Sequence, residues 1–220
     1  MTPISVCIIA RNEEDNIEKC LQPLRKHPFE IVVIDTGSTD KTMELAEKYA
    51  DKVLYFPWCD DFSRARNFSI SHASHDWVLI LDCDEIVKNI DFTGIQNAIE
   101  AYPYAIGQLY RDNLCYDKDH KLIHSYDYVE RLFDRRLYYY TGNIHEQVTS
   151  RDGSQLYGCE IPLTVTHTGY SGSDDDLAAK AQRNINLLLT DLQKTPDDPY
   201  LYYQLGESFM LKGDYESAYS

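Results

Sequence analysis

The stretch Trp77-Val78-Leu79-Ile80-Leu81-Asp82-Cys83-Asp84-Glu85 runs five apolar residues straight into three acidic ones. An apolar run of that length with no polar face reads as a strand buried on both sides, the kind found in a parallel sheet under helices. Ligands of open α/β sheets bind at the carboxyl ends of the strands. Asp82 and Asp84 stand two apart, so in extended geometry both can turn toward one hard cation, which takes oxygen ligands and keeps waters or substrate phosphates in its shell. The pattern points to a metal-diphosphate site. Taken alone it fits equally an acidic turn that solubilises a strand end.

Working outward, residues 4–10 read as a buried strand, followed by the polar turn Arg11-Asn12-Glu13 and by Ile17, Cys20, Leu21 and Leu24 at helical spacing, with Pro23 set to kink or end that helix. Residues 30–35 form a second strand. Thr36-Gly37-Ser38-Thr39-Asp40 then supplies a turn and capping hydroxyls before Met43, Leu45, Ala46 and Tyr49. Residues 52–56 give a short third strand, and Asp61-Phe62-Ser63 caps a helix through Arg64, Arg66 and Ile70. Strands alternating with helices predict an α/β class and a mostly parallel, doubly wound sheet with flanking helices.

Beyond Asp91 the texture changes. A helix at 95–101 gives way to aromatic, β-prone stretches at 105–110, 126–133 and 137–140, which predict an antiparallel or mixed region packed on the first half. Tyr138, Tyr139 and Tyr140 either line an acceptor cleft or pack in the core and along an edge. After Gly169-Tyr170-Ser171-Gly172, read as a hinge, Asp174, Asp175 and Asp176 open a helix through Leu187, Leu188 and Leu192 that Pro196 closes. Residues 198–220 place Tyr202, Leu205, Gly206 and Phe209 before Gly213-Asp214-Tyr215, an order that resembles the start of a tetratricopeptide repeat. A lone repeat cannot bury its own face, so the chain reads as a piece of a longer protein, divided into a domain at 1–172 and a small all-helical segment at 173–220.

Composition narrows the function. With 36 acidic against 21 basic residues the net charge is −15, a field that repels polyanions, and no basic run breaks it, so the expectation is no nucleic-acid partner. Phosphate can still be held in a cleft where a divalent ion supplies the positive charge. The cysteines at 7, 20, 59, 83, 115 and 159 have no zinc spacing and read as reduced thiols in or near the core. Neither a signal-peptide pattern nor a membrane-length apolar run is present, and the expectation is a cytoplasmic protein without a membrane span.

Together, Ile8-Ile9-Ala10-Arg11-Asn12-Glu13, Val33-Ile34-Asp35-Thr36-Gly37-Ser38-Thr39-Asp40 and Asp82-Cys83-Asp84 resemble family 2 glycosyltransferases of the GT-A fold. The likeness continues through Asp61-Phe62-Ser63-Arg64-Ala65-Arg66-Asn67 and Gly142-Asn143-Ile144-His145-Glu146 to Val165-Thr166-His167. The resemblance implies that Ala10, Arg11, Asn12, Glu13, Asp35, Asp82 and Cys83 hold a nucleotide-sugar, with Arg66 approaching the nucleotide. It implies that Asp84 binds Mn2+ or Mg2+, with His167 completing the shell, that Glu146 is the general base, that His145 orients the acceptor or Glu146, and that Arg131 is an acceptor-cleft residue. Bland readings stand beside these. Asp35, Asn12 and Ser38 serve as turn caps, Arg66 pairs with Asp60 or Asp61, Arg131 makes a structural salt bridge, and His145 and His167 are structural histidines.

The implied activity is metal-dependent, inverting transfer from a nucleotide-sugar, a uridine diphosphate sugar by expectation, to a peptide, protein or glycan acceptor. The arrangement of catalytic domain, helix and repeat also looks like bacterial peptide glycosyltransferases that modify cysteine or serine. The repeat region is a candidate for protein contact or self-association. Two rivals stand beside this reading: a noncatalytic interaction scaffold, and a sugar-phosphate nucleotidyltransferase, whose Gly-rich triphosphate loop Ala10-Arg11-Asn12-Glu13 does not supply.

Overall fold

Alternate residues of an extended strand face opposite sides of a sheet, so an all-apolar strand needs a core on each side. The computed structural model, which describes residues 1–116, 121–170 and 174–219, supplies both. The first half comprises β1 (Ile4–Ala10), α1 (Ile17–Leu24), β2 (Phe29–Asp35), α2 (Thr42–Ala46), β3 (Lys52–Tyr55), α3 (Phe62–His72) and β4 (Trp77–Asp82). Then come β5 (Glu85–Ile90), α4 (Phe92–Ala101), β6 (Ile106–Tyr116), β7 (Leu122–Asp134), β8 (Tyr138–Thr141), β9 (Gln147–Ser150), β10 (Gly158–Tyr170), α5 (Asp174–Leu192), α6 (Pro199–Lys212) and α7 (Tyr215–Ala218).

The main sheet has the order β3-β2-β1-β4-β7-β6-β10-β5. Its first four strands are parallel, Ile4 standing opposite both Phe29 and Trp77. From β7 onward it is mixed: β7 runs antiparallel to β4 and β6, while β10 runs parallel to β6 and antiparallel to β5. One face packs Val6, Ile8, Leu79 and Leu81 on Ile17, Leu21 and Leu24 of α1, and the other packs Cys7, Ile34, Val78 and Ile80 near Ile70 of α3. Burying each such aliphatic side chain contributes about 1.5–3 kcal/mol. All four predicted contacts of α1, at Ile17, Cys20, Leu21 and Leu24, are fully buried, and the helix ends one residue after Pro23.

The differences from expectation lie outside the parallel half. Strand β5 follows β4 almost at once, although Lys88 and Asn89 break its apolar pattern, because pairing with β10 shields its backbone. Tyr138 and Tyr140 are core residues, 5% and 3% exposed, so they do not line a cleft. The Ser171-Gly172 part of the expected hinge, and with it the 172/173 boundary, lies outside the described residues. Helix α6 begins as its sequence dictates, with Pro199 in the first turn and Asp198 accepting from the Tyr200 amide at 2.9 Å, and it ends at Gly213, whose φ of +81° suits glycine. Among the described residues no helix is long and apolar enough to cross a membrane.

Candidate active site

The loops after β1 and β2 lie side by side because their strands are paired. Side chains then stitch them together. The Asn12 amide donates to Ser38 Oγ at 2.9 Å, the Thr39 amide to Asn12 Oδ1 at 2.8 Å, and the Glu13 amide to Thr42 Oγ1 at 2.7 Å. Asn12 holds a φ of +55°, a region that asparagine tolerates better than most residues. Asp35, 2% exposed, accepts from the Gly37 and Ser38 amides at 3.0 and 3.1 Å, while the Ala10 carbonyl accepts from the Thr36 amide at 2.9 Å. The turn-capping reading of Asp35, Asn12 and Ser38 is therefore realised. Arg11 is exposed at the rim of this cradle.

Asp82 ends β4 in a buried ion network. Its Oδ1 accepts from Arg66 Nη2 at 2.7 Å and its Oδ2 from Arg131 Nη2 at 2.8 Å. Arg131 Nη2 also reaches Glu85 Oε1 at 2.7 Å, Arg111 Nη1 stands 3.4 Å from that oxygen, and Glu85 Oε2 accepts from the Asp82 amide at 3.1 Å. Burial opposes the charge on Asp82, but Arg66 and then Arg131 outweigh it and hold the carboxyl well below the usual carboxylate range. Burial likewise opposes the charge on both arginines, and their carboxylates overcome it, so both are held upward.

Two expectations are corrected here. Asp82 gives both oxygens to guanidinium groups, so it does not turn with Asp84 toward a shared cation. Arg66 pairs with Asp82 and Glu146 rather than Asp60 or Asp61, because Asp61 caps α3 by accepting from the Arg64 amide at 2.9 Å. Arg131, 8% exposed, makes the salt bridges of its structural reading, to Asp82 and Glu85. The Cys83 side chain is 4% exposed and its thiol donates to the Ile9 carbonyl at 3.5 Å.

Asp84 instead faces His167, with Oδ2 3.3 Å from Nε2. Asn113 on β6 fixes the ring. Its Nδ2 donates to the Ser125 carbonyl at 3.2 Å and to Asp127 Oδ1 at 3.1 Å, which turns its Oδ1 toward His167 Nδ1 at 2.8 Å. An oxygen acceptor there places a proton on Nδ1 and turns Nε2 toward Asp84. Glu13 is part of the same field: burial foremost, then Asp84 and Asp82, raise its carboxyl above the usual range.

The segment 142–146 carries the expected base. Glu146 Oε1 is ion-paired with Arg66 Nε, and Arg66 lies over the Tyr140 ring at 5.5 Å. Glu146 Oε2 takes no hydrogen bond from the described residues. His145 stands beside it with a φ of +50°, and burial lowers its pKa, so the ring is neutral near pH 7. Arg66 Nη1, Arg131 Nε, Tyr140 Oη and His145 Nε2 are buried with no partner among the described residues. Each such unmet group costs about 1–3 kcal/mol until something bonds to it.

Sequence reasoning missed Asn113, Arg111, Asp127 and Glu85 as site-shaping residues. Only Glu85 carried a signal, as the third acid after the apolar strand.

Residues 5–154 match the profile of glycosyl transferase family 2. The chain is 28% identical over 227 residues to a TPR repeat-containing protein of Synechococcus elongatus, covering 99% of this chain and 55% of that one. It is 28% identical over 235 residues to the prophage-derived glycosyltransferase SunS of Bacillus subtilis, covering 98% of this chain and 52% of that one. It thus spans about half the length of these curated relatives. In three dimensions it is similar to residues 1–349 of Staphylococcus aureus TarS solved with UDP-GlcNAc, with a TM-score of 0.55 at 15% identity over 94% of this chain and 72% of that one. That similarity extends to the fold.

Proposed function

The chain belongs to glycosyl transferase family 2, and from that premise we propose that it transfers a sugar with inversion from a uridine diphosphate sugar to a peptide, protein or glycan acceptor, in the cytoplasm and with a divalent metal. The observation that carries the reading is the facing pair Asp84 Oδ2 and His167 Nε2 near the carboxyl end of β4, with Glu146 tied to the same network through Arg66. The donor set fits the implied ion. One carboxylate and one imidazole would suit Mn2+ better than Mg2+, which prefers oxygen ligands alone, with donor phosphates and water in the other positions, and among the described residues no group of three or more histidine, cysteine or acidic side chains could hold the ion by itself. An ion held there offsets the negative charge of the departing diphosphate.

The chain's own residues do the rest. The stitched loops after β1 and β2 form one wall for base and ribose, with Asp35 and the Ala10–Glu13 backbone as acceptors and donors. Asp82, locked by two arginines, is a fixed negative edge for a ribose hydroxyl to donate to. Glu146 Oε2 accepts the proton of the incoming nucleophile while Arg66 holds Oε1 and so fixes the carboxylate plane. Neutral His145 orients either the acceptor or Glu146. Residues 1–172 form the catalytic unit in this reading, and 173–220 a helical segment that begins a tetratricopeptide-like repeat and serves protein contact or self-association.

The test is release of uridine diphosphate from a panel of UDP-sugars, with Mn2+ and with chelator. Metal-dependent release or binding of at least one donor is expected. A chain that neither binds nor hydrolyses any of them under either condition overturns the UDP-sugar reading and favours the scaffold.

A further inference from the structure

The segment that carries Glu146 is held from two directions. From the catalytic half, the Phe62 amide at the start of α3 donates to the Asn143 carbonyl at 2.8 Å, and Arg66 pairs with Glu146. From the C-terminal half, Asn143 Nδ2 donates to Asp191 Oδ1 on α5, and Ile144, 5% exposed, packs in a cluster with Leu187, Leu188 and Leu201. Phe62 and Leu192 border that cluster, and Arg183 of α5 lies over the Phe62 ring at 5.3 Å. Asn143 and Ile144 therefore seat on the helical hairpin α5–α6, and His145 and Glu146 follow directly. Gly142 and His145, both at positive φ, let the backbone turn sharply on either side of the seated pair.

A strained four-residue turn has few ways to hold its own shape, so its position is set by what it is fastened to. Asp191 is suited to this: it is 9% exposed, its Oδ1 takes both Asn143 Nδ2 and Lys194 Nζ, the latter at 3.2 Å, and its backbone carbonyl accepts from the Thr195 amide at 3.0 Å. We propose that Asp191, through Asn143, is a positioning residue for Glu146, so that the helical C-terminal segment is a working part of the active site and not an appendage to it. The proposal rests on the assignment of Glu146 as base. It commits α5–α6 to a second role besides any partner contact, because a movement of the hairpin carries the base with it.

The test reverses the hydrogen bond. Asn143→Asp sets two carboxylates against each other, whereas Asn143→Asp combined with Asp191→Asn restores a bond of opposite polarity in the same place. With the UDP-sugar that the wild type hydrolyses fastest and water as acceptor, the single variant should lose about tenfold in kcat, since small misplacements of a catalytic group are costly. Its KM for donor should stay within about twofold, and the reversed pair should recover most of the loss. Amide hydrogen exchange over residues 142–147 should quicken in the single variant and return in the reversed pair, a readout that needs no turnover. Unchanged exchange in the single variant, an equal effect on KM, or no recovery in the pair overturns the proposal. A wild type that handles no UDP-sugar overturns the functional reading instead, and the exchange result then shows separately whether the clamp exists.

Discussion

Asn113 Oδ1 lies 2.8 Å from His167 Nδ1, and that contact decides which ring nitrogen meets Asp84. Asn113 is itself oriented by Asp127 and the Ser125 carbonyl, so the chain of contacts runs across β7, β6 and β10 before it reaches the site. Partners of this kind hold a metal ligand in one tautomer and one orientation.

Asn113→Leu should therefore weaken Mn2+-dependent donor binding by about 10-fold or more while leaving metal-free binding unchanged. Calorimetric titration with UDP in Mn2+ and in chelator separates the two. Equal affinities for variant and wild type in Mn2+ mean that the ring needs no such support.

Glu146→Gln keeps an oxygen for Arg66 but removes the proton acceptor. Donor affinity should stay within about twofold while turnover falls by about 100-fold or more. Full turnover in the variant moves the base elsewhere. With a thiol acceptor, which ionises in part by itself, the loss should be smaller.

Arg131→Met leaves Glu85 fully buried, with Arg111 at 3.4 Å as its remaining guanidinium neighbour. Breaking a buried pair in this way costs about 3–5 kcal/mol. The half-exposed pair Arg25–Asp51, at 3.0 Å, should lose under about 1 kcal/mol in Arg25→Ala. Urea unfolding of the two variants compares them directly, and similar losses would show that the network is not a rigid, dry unit.

The acid limb of stability has a source far from the site. Burial works against ionisation of Glu30, but hydrogen bonds from Lys52, Ser5 and Ser74 prevail and bring its pKa down from 4.5 to about 2. Because the folded value lies below the unfolded one, this stabilisation is complete above about pH 4.5 and disappears as pH falls toward about 2. Glu30→Gln should destabilise by about 1 kcal/mol near neutral pH, solvent screening included, and by progressively less in acid. A pH-independent difference in unfolding free energy contradicts the assignment.

The parallel half was legible because β1, β2 and β4 are apolar on both faces, which leaves little choice of structure. Strand β5 and the length of β6 and β7 were not, since charged and aromatic residues on their exposed faces hide the period. At the site, position was easier to read than partner. Asp84, His167 and Glu146 stand on motifs, but Asn113 and Asp191 act across 54 and 48 residues of chain and belong to no local pattern. The partners of Asp82 were missed for the same reason: the arginines that pair with it come from α3 and β7, and nothing beside it in sequence announces them.

The central claim is that Asp84, with His167, takes a divalent ion for a nucleoside diphosphate. The most direct measurement is the affinity of Asp84→Asn and wild type for UDP, each in Mn2+ and in chelator. The account predicts that wild-type binding tightens on adding Mn2+ and that this gain falls by about 10- to 100-fold in the variant, with no change in chelator. Binding of UDP that Mn2+ does not alter in the wild type, or a variant weakened equally in both conditions, contradicts it.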